Sequence, residues 1–235
     1  MPQVPPPKRH PYDQWSPDAR ALDLVGDKWS LLIVRDLSAG ARRFVELQRV
    51  LPGISTEQLR SRLNRMVAEG MLTRQRFREV PPRVEYGLTD RARELMPVLA
   101  ALARWGYEWA WSPPRPGEAI DLGAIFRLAA GLIPVEGFAG TVVLSVRENG
   151  NETAYTITGG AEGVAVAESD DDHADARVTG TRTAWVDALS PEHLRDGLQT
   201  TGNASLAAQV LDWLSSSPAG ISAAAAAAAG ATAAA

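Results

Sequence analysis

Arginine side chains dominate one stretch of the sequence and are its strongest candidates for chemistry. Residues 41–83 contain ten arginines and four glutamates, which gives a net charge of +6. Guanidinium groups bind phosphates through paired N–H donors, so a local excess of this size is expected of a nucleic-acid-binding surface. The alternative is a basic face that is solvated and has no ligand.

A helix inside this stretch carries polar groups that suit base edges. Ser55-Thr56-Glu57-Gln58 matches a capping box and predicts a helix from Ser55 to about Glu69, ended by Gly70. At 100° per residue, its apolar residues share one face, and the opposite face holds Glu57, Gln58, Ser61, Asn64 and Arg65. Gln58, Ser61 and Arg65 are therefore candidates for base-edge contacts, while Ser55 and Thr56 stand where backbone N–H groups bind phosphate.

A basic hairpin is predicted directly after this helix. Residues 71–78 and 83–88 alternate as two strands around the tip Val80-Pro81-Pro82, and we expect Arg78 and Arg83 to reach the minor groove or adjacent phosphates. The candidate DNA-contacting residues are Arg42, Arg43, Ser55, Thr56, Gln58, Arg60, Ser61, Arg62, Asn64, Arg65, Arg78 and Arg83. For arginines such as Arg60, Arg62 and Arg83, an alternative is that the stems only cover apolar surface.

Other chemistry lacks its residues. The sequence contains no cysteine, which excludes disulfides, thiolate metal sites and thiol redox sensing. The acidic run 170–175 is interpreted as a solvated hairpin loop because it lacks the spaced acids, glycine and closing glutamate of a calcium loop. No GxSxG or Ser/His/Asp arrangement is present. We therefore predict no catalytic residue, metal or cofactor.

Charge and proline divide the chain into two domains. Residues 1–111 hold 18 basic and 13 acidic residues, a net of +5, whereas residues 112–235 hold 6 and 15, a net of −9. The Pro-rich run 112–119 is predicted as a linker between domains at 16–111 and 120–215. A flexible Pro-rich segment over 1–15 and an alanine-rich, low-complexity tail over 216–235 flank them.

The two domains differ in their predicted elements. The first contains short amphipathic helices, the hairpin, and a long helix from Thr89 to about Trp111 that Pro97 should kink or break. The second predicts an α+β fold with a mostly antiparallel sheet. Its strands are expected at 141–147, 152–158, 162–167, 175–180 and 198–201, and its helices at 121–131, 181–189, 191–196 and 204–214.

Residues 16–111 resemble the HxlR family of winged helix-turn-helix regulators, which are relatives of the MarR group. The resemblance is carried by ALDLVGDKW (21–29), LLIVRDL (31–37), RRFVEL (42–47), LPGIS (51–55), LRSRLNRM (59–66), EGML (69–72) and VPPRVEYGLTDRARELMPVL (80–99). It implies a homodimeric transcriptional regulator that binds double-stranded DNA at a pseudo-palindromic operator. Many members have a sensing cysteine where this chain has Ser16, so the regulatory signal must enter elsewhere.

Dimerisation is predicted from four tryptophans. Large aromatic residues concentrate at interfaces when a small domain cannot cover them all. The candidate interface residues are Trp15, Trp105, Trp109 and Trp111. The alternative for each is ordinary core packing.

Residues 120–215 resemble the sterol-carrier-protein-like domain, on DARVTGTRTAWVDALSP (175–191) and LQTTGNASLAAQVLDWL (198–214). The resemblance implies an apolar small-molecule effector bound in a tunnel between sheet and helices. The candidate lining residues are Phe126, Leu132, Phe138, Trp185, Leu189, Leu206, Val210 and Trp213, and the alternative is that they close a core. The rival function is an apolar-ligand carrier or protein-interaction module without specific DNA binding.

The sequence also predicts a cytoplasmic protein with no membrane partner. Its first residues, MPQVPPPKRH, lack the apolar region of a secretory signal. The alanine tail is too weakly apolar to insert into a bilayer.

Overall fold

The computed structural model describes residues 11–78, 80, 82–161 and 163–215. Most of the predicted N-terminal flexible segment, the alanine-rich tail and Pro81 of the predicted hairpin tip lie outside the described residues. Chain contacts define two compact units, divided between Met96 and Pro97, which we call the N-terminal and C-terminal units. The predicted domain boundaries concern independent folding and stay predictions.

The N-terminal unit combines helices with a small antiparallel sheet. Its elements are α1 (Pro17–Val25), α2 (Ser30–Leu37), β1 (Arg42–Arg43), α3 (Phe44–Val50), α4 (Thr56–Ala68), β2 (Leu72–Phe77), β3 (Arg83–Leu88) and α5 (Asp90–Arg93). The strand order is β1-β3-β2. Ile33, Leu47 and Leu59 have no exposed surface and form the core between the helices. The apolar face predicted for α4 is confirmed, since Leu63 and Met66 are buried as well.

The predicted long helix is broken, as Pro97 required. Helix α5 ends at Arg93, and α6 (Met96–Trp109) begins after two intervening residues. Pro97 is the second residue of α6, where its missing N–H costs no internal hydrogen bond. The segment that follows the hairpin therefore belongs to two helices, and all of α6 after Met96 belongs to the C-terminal unit.

The C-terminal unit is an α+β fold around a five-stranded sheet. After α6 its elements are α7 (Leu122–Arg127), α8 (Ala129–Leu132), β4 (Gly140–Glu148), β5 (Asn151–Gly160), β6 (Gly163–Ala167), β7 (Ala176–Thr181), α9 (Arg182–Ala188), β8 (Gln199–Gly202) and α10 (Ala204–Ser215). The strand order is β6-β5-β4-β7-β8. Only the β4–β7 pair is parallel within this sheet, so the mostly antiparallel prediction is confirmed.

One predicted helix of this unit is wrong. Residues 191–196 form turns, with His193 in the left-handed region at φ +52°. The backbone N–H of Leu194 donates to Asp187 O at 3.2 Å, which folds the chain back onto the end of α9. The order of apolar and charged residues over 191–196 fits a helix, but the backbone hydrogen bonds of this segment close a turn and do not form a helical series.

A buried arginine lies at the centre of the C-terminal unit. The Arg127 side chain is 1% exposed, and its Nη2 lies 2.6 Å from Asp121 Oδ2. Its Nη1 lies 3.2 Å from the Tyr155 hydroxyl and 3.9 Å from Glu168 Oε2. A charge so deeply buried must be paired to be tolerated, so this cluster fixes α7 against the sheet.

Candidate nucleic-acid interface

Helix α4 begins with the predicted capping box. Ser55 Oγ accepts a hydrogen bond from the Gln58 backbone N–H at 3.2 Å, and the Ser55 N–H donates to Gln58 Oε1 at 3.1 Å. Both bonds satisfy groups that the first helical turn leaves without internal partners. The side-chain oxygen of Gln58 is therefore committed to the helix start, and its amide nitrogen is the group that suits an outside acceptor.

The outward face of α4 is open to solvent. Ser61 and Asn64 are exposed, as the periodicity predicted, and Arg60 is exposed as well. Arg60 Nη1 lies 3.2 Å from Glu57 Oε2, but both side chains are more than half exposed. An exposed pair of this kind contributes little to stability, so Arg60 can exchange Glu57 for another anion at small cost. Thr56 is exposed too, and its hydroxyl accepts from Gln48 Nε2 at 2.8 Å.

The other two arginines of α4 are less exposed than Arg60 and also have partners within the protein. Arg62 Nη1 lies 3.0 Å from Asp27 Oδ2, and this pair joins α4 to the turn before α2. Arg65 Nε lies 3.3 Å from Glu69 Oε1, one helical turn away. Both arginine side chains are 21% exposed. Their predicted contacts with DNA stay predictions, and the geometry gives each of them a structural role as well.

The hairpin of β2 and β3 carries its arginines on different faces. Arg74 lies opposite Tyr86, and Arg76 lies opposite Val84, which puts both arginines on one face. Phe77 lies opposite Arg83 on the other face. There the Arg83 guanidinium stands 4.3 Å from the Phe77 ring centre and its Nε is 3.0 Å from Glu85 Oε1.

A hollow between α4 and the hairpin brings polar groups from both elements together. It measures about 320 Å³, and its wall includes Arg60 and Asn64 of α4 and Arg74 of β2. Arg76 and Arg78 line the next hollow toward the hairpin tip. We call this surface the basic groove and define it by Arg60, Asn64, Arg74, Arg76 and Arg78. All five residues are exposed.

Sequence reasoning missed two members of the basic groove, Arg74 and Arg76. The alternation of arginines at 74, 76 and 78 was the available signal, because alternate residues of a strand share a face. The two predicted arginines of β1 differ from each other in exposure. Arg42 is half-buried, and its Nε donates to Asp36 O at 2.8 Å, whereas Arg43 is exposed. The Arg42 side chain therefore joins β1 to α2 in this structure.

The fold and the groove together define the class. Helices α3 and α4, joined by a short turn and followed by a two-stranded hairpin with exposed arginines, make a winged helix-turn-helix unit. Comparison with known proteins supports the same class. The model of the HxlR-like helix-turn-helix family matches residues 24–113.

Individual relatives share this part of the chain. The HTH-type transcriptional regulator sll1512 of Synechocystis sp. is 44% identical over 93 residues, which are 40% of this chain and 69% of that protein. The HTH-type transcriptional regulator YvaP of Bacillus subtilis is 38% identical over 90 residues, 38% of this chain and 83% of that protein. The chain belongs to the HxlR-like helix-turn-helix family, which confirms the resemblance.

Among solved structures, the reduced form of the transcriptional regulator YodB from B. subtilis is 30% identical, with a TM-score of 0.37. The match covers 44% of this chain and 99% of YodB. The family model ends at residue 113, and the sterol-carrier-like identity of the C-terminal unit stays a prediction.

The predicted interface tryptophans fall into two groups. Trp15, Trp105 and Trp109 are 91%, 60% and 70% exposed. Trp111 is 37% exposed and lines a cavity of about 220 Å³ in the C-terminal unit. The interface role of all four stays a prediction, although the first three have the exposure that such a role requires.

The predicted ligand-lining residues lie in different surroundings. Phe126 packs edge to face on Trp185 at 4.8 Å, and Phe138 packs on Trp213 at 5.8 Å, so these rings contact one another. Val210 is buried and Leu206 is half-buried. Only Leu132 and Leu189 of the predicted set line the 220 Å³ cavity. That cavity also involves α6, which the prediction did not include.

Across the described ranges, no group of three or more His, Cys, Asp or Glu side chains is placed to hold a metal ion. Within the same residues, no helix has the length and apolar character needed to cross a membrane.

Proposed function

We propose that this protein is a dimeric, DNA-binding transcriptional regulator whose C-terminal unit takes an apolar small-molecule effector. The basic groove is the observation that carries the proposal, because exposed arginines of the hairpin lie beside the exposed polar face of α4. In this arrangement α4 enters the major groove and the hairpin arginines contact the phosphates that border it. The relatives' names as HTH-type transcriptional regulators support the same function.

Contacts with DNA divide into two kinds in this proposal. Ser61, Asn64 and the amide nitrogen of Gln58 meet base edges, since they are exposed and carry hydrogen-bonding groups. The groove arginines and Arg43 bind phosphates, and the backbone N–H groups at Ser55 and Thr56 add a phosphate site. The remaining predicted contacts, Arg42, Arg62, Arg65 and Arg83, already have partners within the protein, so the proposal does not depend on their contacts with DNA.

A mobility-shift assay tests the DNA-binding part. The purified chain and the DNA upstream of its own coding sequence are expected to form a complex that survives excess nonspecific competitor. Its affinity should fall steeply between 50 and 200 mM salt, by about 10³-fold or more if six or more phosphates are contacted. Absence of any complex, with that DNA and with duplexes selected from a random pool, would remove the regulator proposal and favour an apolar-ligand carrier.

Dimerisation is proposed through α6, with a second copy of this chain as the partner. Val98, Leu102, Trp105 and Trp109 follow a 4-3-4 spacing and are each at least half exposed. This spacing places all four on one stripe of the helix, as in the seam of a helix pair.

Trp105→Arg is expected to convert the dimer into a monomer. A charge in the middle of the stripe would have to be desolvated at the interface without a partner. Size-exclusion chromatography with light scattering at micromolar concentration measures the result, and Leu194→Arg, at another exposed apolar residue, is the matched control. A wild-type monomer, or a Trp105→Arg variant that stays dimeric, would contradict the proposed interface.

A further inference from the structure

The cavity beside α6 has an apolar wall and the size of a small ligand. Ile125, Leu128, Leu132, Leu189 and Leu214 contribute to the wall, and the volume is about 220 Å³. An apolar protein cavity of about 150 Å³ accommodates benzene, whereas drug-sized ligands occupy about 300 Å³ or more. This cavity therefore fits a single ring with a short substituent, or a short hydrocarbon chain.

One charged side chain lines this apolar wall. Arg104 of α6 donates from Nη2 to Leu132 O at 3.1 Å and to Gly131 O at 3.4 Å. Its Nε is buried and has no hydrogen-bond partner among the described residues. Buried donors in proteins are nearly always paired, and a guanidinium N–H pairs most strongly with a carboxylate.

A second polar residue of the wall stays neutral. The Tyr107 hydroxyl donates to Leu189 O at 2.8 Å. Burial, with a smaller effect from the Glu192 charge, raises the pKa of Tyr107 to about 12. The phenol therefore keeps its proton at neutral pH, and the charge that lines the cavity is the positive charge of Arg104.

We propose that this cavity binds a small apolar monocarboxylate, with its hydrocarbon part among Leu128, Leu132 and Leu189 and its carboxylate on Arg104. The regulatory consequence rests on the proposed function. Arg104 and Tyr107 lie on the face of α6 opposite the stripe that carries Trp105 and Trp109. A ligand that shifts α6 within the unit thus acts on the helix that is proposed to join the two copies.

Binding is tested by titration calorimetry on the full chain with octanoate, benzoate and 1-octanol. Octanoate and 1-octanol share a chain length and differ in the charged group. Octanoate is expected to bind at one site, and Arg104→Gln should weaken octanoate by about 10-fold or more while 1-octanol is unchanged, since a charge-assisted bond is lost. Equal affinities of octanoate and 1-octanol for the wild-type chain would overturn the role of Arg104.

Gly106 supplies a variant that leaves Arg104 untouched. A Cβ at Gly106 would meet no atom within 4 Å, and Gly106 lines the cavity. Gly106→Leu is therefore expected to fill the cavity and remove binding of both ligands, while also removing the helix penalty of glycine. Gly106→Ala is the matched control and should keep octanoate affinity within about 3-fold, as it adds one carbon. Undiminished octanoate binding to Gly106→Leu, or no binding of octanoate and benzoate to the wild-type chain, would refute the site.

The carboxylate site and the DNA-binding function can be refuted independently, because calorimetry measures ligand binding without DNA. A mobility shift repeated with saturating octanoate is expected to change the DNA affinity of the wild-type chain and to leave that of Gly106→Leu unchanged. If octanoate binds and the shift is unaffected, the ligand site stands and the coupling through α6 is refuted. If the chain binds octanoate and never binds DNA, the proposed function falls and the site remains.

Discussion

Replacing Arg74 and Arg76 together with alanine is expected to weaken binding to duplex DNA by about 100-fold. Two charge-assisted contacts at about 1.5 kcal/mol each add to about 3 kcal/mol, which is a factor of roughly 100. Both side chains are exposed on β2, so their loss should leave the fold intact. In a plot of the logarithm of affinity against the logarithm of salt concentration, the slope should also become shallower by about 1.8, because two phosphates are no longer neutralised.

A second pair of arginines separates a local effect from a change in net charge. Arg20 on α1 and Arg93 on α5 are exposed and lie outside the basic groove. Arg20→Ala with Arg93→Ala removes the same total charge and is expected to change DNA affinity by less than about 5-fold. Fluorescence anisotropy with a mixed-sequence duplex measures both variants at several salt concentrations. Equal losses in the two variants would mean that the groove is not where the phosphates bind.

Arg127→Ala is expected to lower the free energy of unfolding of the C-terminal unit by about 2–4 kcal/mol, because it empties a buried site and removes the hydrogen bonds of the guanidinium. The guanidinium bridges Asp121, which caps α7, and Tyr155 on β5. Its removal leaves a cavity and takes a donor away from the buried Tyr155 hydroxyl. The pairing of α7 with the sheet would then depend on apolar contacts such as Phe126 on Trp185.

Urea unfolding followed by circular dichroism measures this loss. Arg147→Ala is the control, since Arg147 Nε pairs with Glu152 Oε2 at 3.1 Å with side chains 54% and 38% exposed. That change should cost less than about 1 kcal/mol. A loss of under about 1 kcal/mol for Arg127→Ala would show that the cluster does not stabilise the unit.

Local interactions explain why much of the N-terminal unit was predictable. The capping box of α4 joins Ser55 to Gln58, and the apolar face of α4 repeats at helical spacing. The residues that interact in such features lie within one or two helical turns of each other along the chain, so these features can be predicted from the sequence. The break before Pro97 is of the same kind. A local cause also applies in the C-terminal unit, where Asn149 and Gly150 form the turn between β4 and β5 with φ values of +51° and +79°.

The roles of individual arginines were not predictable in this way. Arg62 faces Asp27, which is distant in sequence, and Arg83 stacks on Phe77 across the hairpin. Arg65 is the exception, because Glu69 stands four residues away at the spacing of a helical pair. The periodicity of α4 placed its arginines at the edge or outside of the helix, but it did not state which of them another element would engage.

In the C-terminal unit, too, local features were predictable from the sequence and long-range contacts were not. Its strands and most of its helices follow from alternation, turn residues and caps, whereas the helix over 191–196 was wrong because a backbone bond from Leu194 to Asp187 closes a turn. Four of the eight predicted ligand-lining residues, Phe126, Trp185, Phe138 and Trp213, pack on one another in two pairs. The cavity lies against α6, where Tyr107 bonds to Leu189 from 82 residues away.

Residue types and short-range spacing are sufficient to predict the family, the capped helix α4 and the basic hairpin, and the lack of cysteine excludes thiol chemistry. These features depend on residue type and on neighbours within a few positions. The fold is needed to see which arginines form the basic groove, that Arg127 is buried, and that α6 borders a cavity with Arg104 in its wall. Burial and ion pairing depend on which distant elements meet, and a side chain's own spacing carries no information about the partner that desolvates it.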